Sequence, residues 1–136
     1  MSSRKDKLEA LRAEVERLEA LPMARLAAEV MVRGFGPGGP ASRRGRYAAH
    51  VHDIAGKFTR DAGWDWVSVD GDLYGRLSGM VGESLQVLEH QSLIWACSAS
   101  EATNGGIGYT LTRRGRAALE DNAVEQALRG PGGEPA

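Results

Sequence analysis

Residues 88–119 read LEHQSLIWACSASEATNGGIGYTLTRRGRAAL, and this stretch decides the predicted fold. Its apolar and aromatic residues at 93–98 predict a strand. Asn104-Gly105 is a strong signal for a hairpin turn, and residues 108–111 predict the returning strand. Thr112 is a good N-cap for a helix running from Arg113 towards Leu128. The stretch therefore predicts a two-stranded hairpin followed by a helix.

Two helices are predicted immediately before this hairpin. Asp70 is expected to cap the first helix, and Gly79 to end it in a left-handed turn. A second helix is expected over about 82–91, held by the apolar side chain of Leu85. Gly75 supplies a small residue where the two helices would touch. These features together predict a helix-turn-helix unit.

A family resemblance supports this order of elements. Residues 85–94 are similar to the end of a recognition helix and its first wing strand, and residues 109–119 resemble the Leu-Thr-x-x-Gly exit from the wing in MarR-like and PadR-like bacterial transcription regulators. The resemblance covers roughly residues 64–128. It implies a winged helix-turn-helix, mainly α with a small β-hairpin wing (α+β), in which the second helix enters the major groove of DNA.

A basic helix is predicted upstream, from Ala41 or Ser42 to about Thr59. A buried stripe and a neighbouring charged face both follow helical spacing. The charged face is either an ordinary solvated surface or a surface that contacts phosphates. The stripe comprises Tyr47, Val51, Ile54 and Phe58, and the charged face Arg46, His50, Asp53, Lys57 and Arg60.

The N-terminal segment predicts a helix capped by Ser3, followed by a second helix that starts at Pro22 and ends at Gly34. In the first helix an apolar seam has the 3-4-3 spacing typical of a coiled coil. This seam either pairs with a second copy in a homodimer or packs in cis on the rest of the chain. It comprises Leu8, Leu11, Val15 and Leu18.

The chain divides by composition into four predicted parts. Residues 1–34 form an N-terminal helical extension expected to dimerise, and residues 35–41 form a Gly/Pro linker. Residues 42–128 form the winged helix-turn-helix domain, and residues 129–136 form a disordered tail. The glycines at 34, 36 and 39 match G-x-G-x-x-G, but they follow a helix and not a strand, so no dinucleotide cofactor is expected.

Charge is segregated along the chain although the net charge is only −1. Residues 22–60 carry seven basic and two acidic residues, whereas residues 61–111 carry one basic and seven acidic residues. The predicted recognition helix and wing loop thus lack Lys and Arg, and phosphate contacts are assigned elsewhere. The predicted DNA-binding residues are Arg43, Arg44, Arg46, Lys57, Ser84, Gln86, Arg113, Arg114 and Arg116.

The sequence is compatible with two functions. The first is a transcription regulator that binds double-stranded DNA as a homodimer. The second is a winged-helix module that binds a protein partner through its acidic helix and wing, without DNA. Four aromatic residues near the helix pair also offer walls for an effector pocket, namely Trp64, Trp66, Tyr74 and Trp95.

Other classes of function are disfavoured by the sequence. No apolar stretch is long enough for a membrane span, and the charged N-terminus does not resemble a signal peptide, so a cytoplasmic location is expected. Cys97 is the single cysteine, and His50 and His52 are not spaced as a helical metal pair. Asp70 and Asp72 look like capping residues and not an acid/base pair. No enzyme activity, metal or cofactor is expected.

Overall fold

A computed structural model describes residues 3–42, 49–64, 71–97 and 108–129. Over these ranges the chain is mainly helical with one two-stranded antiparallel sheet, which confirms the α+β class. A short 3-10 turn lies at Pro40–Ser42. The main elements are α1 (Arg4–Glu19), α2 (Met23–Phe35), α3 (Val51–Asp61), α4 (Gly71–His90), β1 (Ile94–Cys97), β2 (Gly108–Leu111), α5 (Arg113–Glu120) and α6 (Val124–Arg129).

Helix α1 begins at the predicted cap and packs within its own chain. The backbone N–H of Asp6 donates to the Ser3 hydroxyl at 3.1 Å, which completes a capping box. Leu11, Val15 and Leu18 are 1%, 0% and 1% exposed, and α1 packs on α4. Packing in cis is therefore confirmed. These three side chains are buried within their own chain and are not available to contact a second copy. Homodimerisation itself stays a prediction.

Helix α3 begins about ten residues later than predicted. The chain instead makes the 3-10 turn at Pro40–Ser42, and Ala49 pairs with Tyr109 in an antiparallel bridge. His50 is the N-cap and not part of a helical face, because its Nδ1 accepts from the Asp53 backbone N–H at 3.2 Å. The predicted helix start at 41 or 42 is thus wrong, since backbone pairing with the hairpin competes with helix formation there.

Helix α4 is a single helix of 20 residues and contains no turn at Gly79. The predicted break, and the separate helix from Gly82, are therefore wrong. A Cβ added at Gly75 or Gly79 would meet no atom within 4 Å, so neither glycine lies between helices. Glycine permits a left-handed turn but does not require one. The opposite face holds the helix together through an unbroken buried row: Leu73, Leu77, Val81, Leu85 and Leu88.

The predicted hairpin forms between β1 and β2. Its register runs from the Ile94–Leu111 pair to the Cys97–Gly108 pair. The strand boundaries agree with the prediction to within one residue at each end. The Asn104-Gly105 turn lies outside the described residues, as do Arg43, Arg44, Arg46, Trp66 and Asp70.

The Leu-Thr-x-x-Gly exit has a clear structural basis. The Thr112 hydroxyl accepts from the Gly115 N–H at 2.9 Å and donates to the Ser92 carbonyl at 2.6 Å. A Cβ added at Gly115 would lie 1.9 Å from the Leu93 carbonyl oxygen. The motif therefore caps α5 and lets its first turn approach the backbone just before β1 very closely.

The final predicted helix is interrupted. Helix α5 ends at Glu120, Asn122 adopts a left-handed backbone with φ of 53°, and α6 starts at Val124. The break orients α6 so that Val124 and Leu128 are buried, and α6 packs on α2. A single helix from Arg113 to Leu128 was thus a wrong prediction, because burial of these two side chains favours a change of direction.

Each of the six α-helices that the structure describes contributes to one hydrophobic core. Its fully buried side chains come from both sides of the predicted linker at 35–41, and α2 contacts α3, α4 and α6. Gly34 allows the close approach of α2 and α3, because a Cβ there would lie 2.9 Å from Cδ1 of Ile54. None of the helices that the structure describes is both long and apolar enough to cross a membrane.

Candidate nucleic-acid interface

Three arginines follow the hairpin directly and are exposed in the first turn of α5. Arg113, Arg114 and Arg116 make no ion pair with any described residue. No acidic residue accompanies them in that turn. Cations at a helix N-terminus oppose the helix dipole, so these charges do not serve to stabilise α5. These charges and the positive end of the helix lie at the same helix terminus, where both favour an anion.

Lys57, in contrast, is already paired. Its Nζ lies 2.8 Å from Oδ1 of Asp61, and Nη1 of Arg33 lies 3.2 Å from Oδ2 of the same carboxylate. Arg33 also approaches Glu14 of α1 at 3.7 Å. Arg17 binds Glu14 at 2.6 Å, and this hydrogen bond lowers the pKa of Glu14. Lys57 therefore belongs to a charge network joining α1, α2 and α3.

The two predicted DNA-binding residues of α4, Ser84 and Gln86, differ in their exposure to solvent. Ser84 is 0% exposed and its hydroxyl is buried without a partner among the described residues. Its assignment to DNA contact is wrong, because it lies on the face of α4 that carries Val81 and Leu88. Gln86 is exposed, as a base contact requires, and shares the solvent face with Glu83 and His90.

The solvent face of α4 is acidic. Helix α4 contains a single Lys or Arg residue, Arg76. Its guanidinium donates to Glu19 of α1 at 2.6 and 3.0 Å and to Asp72 at 3.3 Å. The hydrogen bond from Arg76 lowers the pKa of Glu19. Glu83 and Glu89 remain exposed on the same helix. Positive charge on α4 is thus neutralised within the chain.

A cavity of about 640 Å³ lies between the start of α2, the end of α4 and the end of α6. Gln86 and His90 line it together with Met23, Val87 and Leu128. No local sequence pattern indicated this cavity, since its walls come from three helix ends far apart along the chain. Trp64, Tyr74 and Trp95, which were expected to wall an effector pocket, do not line it.

The chain was compared with known proteins. No protein-family model, curated protein or solved structure matches it.

The three residues His50, His52 and Tyr74 join the start of α3 to α4. The Tyr74 hydroxyl is hydrogen-bonded to Nδ1 of His52, and the two rings meet edge to face with centroids 5.7 Å apart. The His50 and His52 rings lie 5.9 Å apart. Within the described ranges, no group of three His, Cys, Asp or Glu residues is arranged to hold a metal ion. The hydrogen bond and ring contact between Tyr74 and His52 link the start of α3 to α4.

Proposed function

We propose that this protein is a DNA-binding transcription regulator of the winged helix-turn-helix type, in which α3 and α4 form the helix pair and β1–β2 the wing. Three features support this assignment. Helix α3 packs on α4, the hairpin follows α4 directly, and the Ala49–Tyr109 bridge ties the start of α3 to the hairpin. Helix α3 ends at Asp61 and α4 begins at Gly71, which is a wider sequence separation than the usual turn of three or four residues, so the proposed pair is a variant of the motif.

The observation that carries the proposal is the cluster of arginines after the wing that make no ion pair with any residue the structure describes. Phosphate contacts supply most of the affinity of non-specific DNA binding, and they require cations that are not already neutralised. Within the described part of the chain, Arg113, Arg114 and Arg116 meet this condition, whereas Lys57 and Arg76 do not. We assign phosphate binding to the start of α5, with Gln86 as a candidate base contact. Arg43, Arg44 and Arg46 remain proposed contributors.

The test is DNA binding by fluorescence anisotropy on a mixed-sequence duplex over a range of salt concentrations. The triple variant R113A/R114A/R116A is expected to reduce the slope of log affinity against log salt by about 2 to 3, because each phosphate contact contributes about 0.9. The matched control is K5A/K7A/R12A, which removes the same charge from α1 and is expected to leave most of the affinity. Equal losses in the two variants would contradict the assignment to α5.

The proposed regulator acts as a homodimer, because paired half-sites in DNA are read by two-fold symmetric proteins. The buried seam of α1 does not supply the interface. Val32 and Trp95 are the large apolar side chains most exposed among the described residues, at 46% and 52%. Light scattering at micromolar concentration tests the dimer, and a monomeric mass would count against it.

The second candidate function is a winged-helix module that binds a protein partner without contacting DNA. The acidic solvent face of α4 favours this alternative, because the surface that would face DNA carries Glu83 and Glu89 and no free cation among its described side chains. Absence of binding to a mixed-sequence duplex even at low salt would favour this module over the DNA-binding regulator.

A further inference from the structure

The cavity beside α4 has the size and the walls of a small-molecule site. Its volume of about 640 Å³ falls within the range of known ligand pockets, which are mostly apolar with a few polar groups. Met23 and Ala24 form one wall from the first turn of α2, Val87 forms the second from α4, and Leu128 forms the third from α6. An apolar body placed between them would be shielded from water on three sides.

The unmatched charge at this cavity is negative. Glu83 lines it, is exposed, and has no ion pair with a described residue. Arg129 also lines the cavity, but its guanidinium donates to the Glu125 carboxylate at 2.7 and 3.2 Å. Among the Lys, Arg, Asp and Glu side chains of the lining, one is cationic and one is anionic, and the cationic one is already paired within α6.

The other polar side chains of the lining are Gln86, His90 and Gln91, and an amide oxygen or a neutral imidazole nitrogen can accept a hydrogen bond from an ammonium group. Gln86 offers an amide oxygen as acceptor, and the ends of α4 and α6 present the negative ends of two helix dipoles. The start of α2 presents one positive helix end on the opposite side. The carboxylate of Glu83, as a full charge, outweighs these partial charges.

We infer that this cavity binds an organic cation, with an aromatic or aliphatic body between Met23, Val87 and Leu128 and an ammonium group at Glu83. The site does not depend on DNA binding. Where the proposed function holds, such a ligand would sit beside Gln86, on the face of α4 assigned to DNA.

The test compares three probes with the same body and different charge: 4-phenylbutylammonium, 4-phenylbutanol and 4-phenylbutyrate. Dissociation constants are measured on the full chain by ligand-observed NMR. The ammonium is expected to bind most tightly and the carboxylate most weakly, with the ammonium about fivefold tighter than the alcohol, as suits an exposed ion pair. Equal affinities, or a preference for the carboxylate, would overturn the proposal.

Two variants locate the site. Glu83→Gln is expected to remove the fivefold advantage of the ammonium over the alcohol, whereas the control Glu89→Gln, on the same helix but outside the lining, is expected to retain it. Ala24→Leu narrows the cavity and is expected to weaken all three probes, with thermal unfolding as a check that the variant folds. Unchanged probe binding in both E83Q and A24L would also overturn the proposal, as would no binding of 4-phenylbutylammonium at millimolar concentration.

Discussion

Gly115 is the position at which the fold leaves no room for a side chain. The obstacle to a Cβ is the backbone carbonyl of Leu93 at 1.9 Å, which is less able to move than a side chain, and Cε of Met31 lies 3.1 Å away. We expect Gly115→Ala to lower the free energy of unfolding by about 3 kcal/mol, because the start of α5 must move away from the backbone before β1. Urea denaturation measures this loss. Wild-type stability in the variant would show that the two segments are not in contact.

Gly79 is the matched control, since the same substitution is expected to act in the opposite direction. A Cβ there meets open space on the solvent face of α4. Alanine is a better helix former than glycine by about 1 kcal/mol, so Gly79→Ala should raise the free energy of unfolding by that amount. A destabilised variant would indicate a turn at residue 79, as the motif first suggested.

At the scale of elements, α1 is an integral part of the core. Leu18 is 1% exposed, and its truncation to alanine is expected to cost about 3 kcal/mol. Because the contact is within the chain, the loss should be the same at 1 and 100 µM protein, as measured by urea denaturation. A loss that appears only at the higher concentration would instead place Leu18 in an interface between copies.

In helix α4 the sequence predicted the buried face correctly but the helix break incorrectly. The positions of Leu85 and Leu88 on the buried face followed from their spacing, and both are buried. The break at Gly79 was wrong because glycine affects local conformation by only about 1 kcal/mol, less than the burial of several leucines contributes. The burial of the leucine side chains therefore outweighed the conformational preference of glycine.

At the scale of the whole molecule, a charge network joins three helices and makes stability depend on pH. Arg17 lowers the pKa of Glu14 in the folded state, so the ionised carboxylate stabilises the fold above its unfolded pKa and this contribution is lost as pH falls through the folded pKa. We expect Glu14→Gln to destabilise the protein by up to about 1 kcal/mol at pH 7 and to have no effect near pH 2.

The control for this prediction is Glu16→Gln. Glu16 is exposed on the same helix and its side chain makes no ion pair with the described residues. Its substitution should leave the pH dependence of urea denaturation unchanged. If E14Q and E16Q gave the same curve, the stabilising role of the Glu14–Arg17 pair would be contradicted.

The sequence by itself determined the features that depend on neighbouring residues. Ser3 and Thr112 cap their helices, and residues 94–97 and 108–111 pair as strands, because caps and hairpin strands are encoded within a few residues. It also identified the three arginines after the hairpin, since charge is read directly from residue type.

Only the tertiary structure decided which of these groups remain available. Lys57 forms a salt bridge with Asp61, and Arg76 forms one with Glu19, which lies 57 positions away in the chain. Ser84 is buried, and the cavity beside Gln86 forms from three separated helix ends. The physical reason is that pairing and burial depend on contacts between distant segments, which no local pattern specifies.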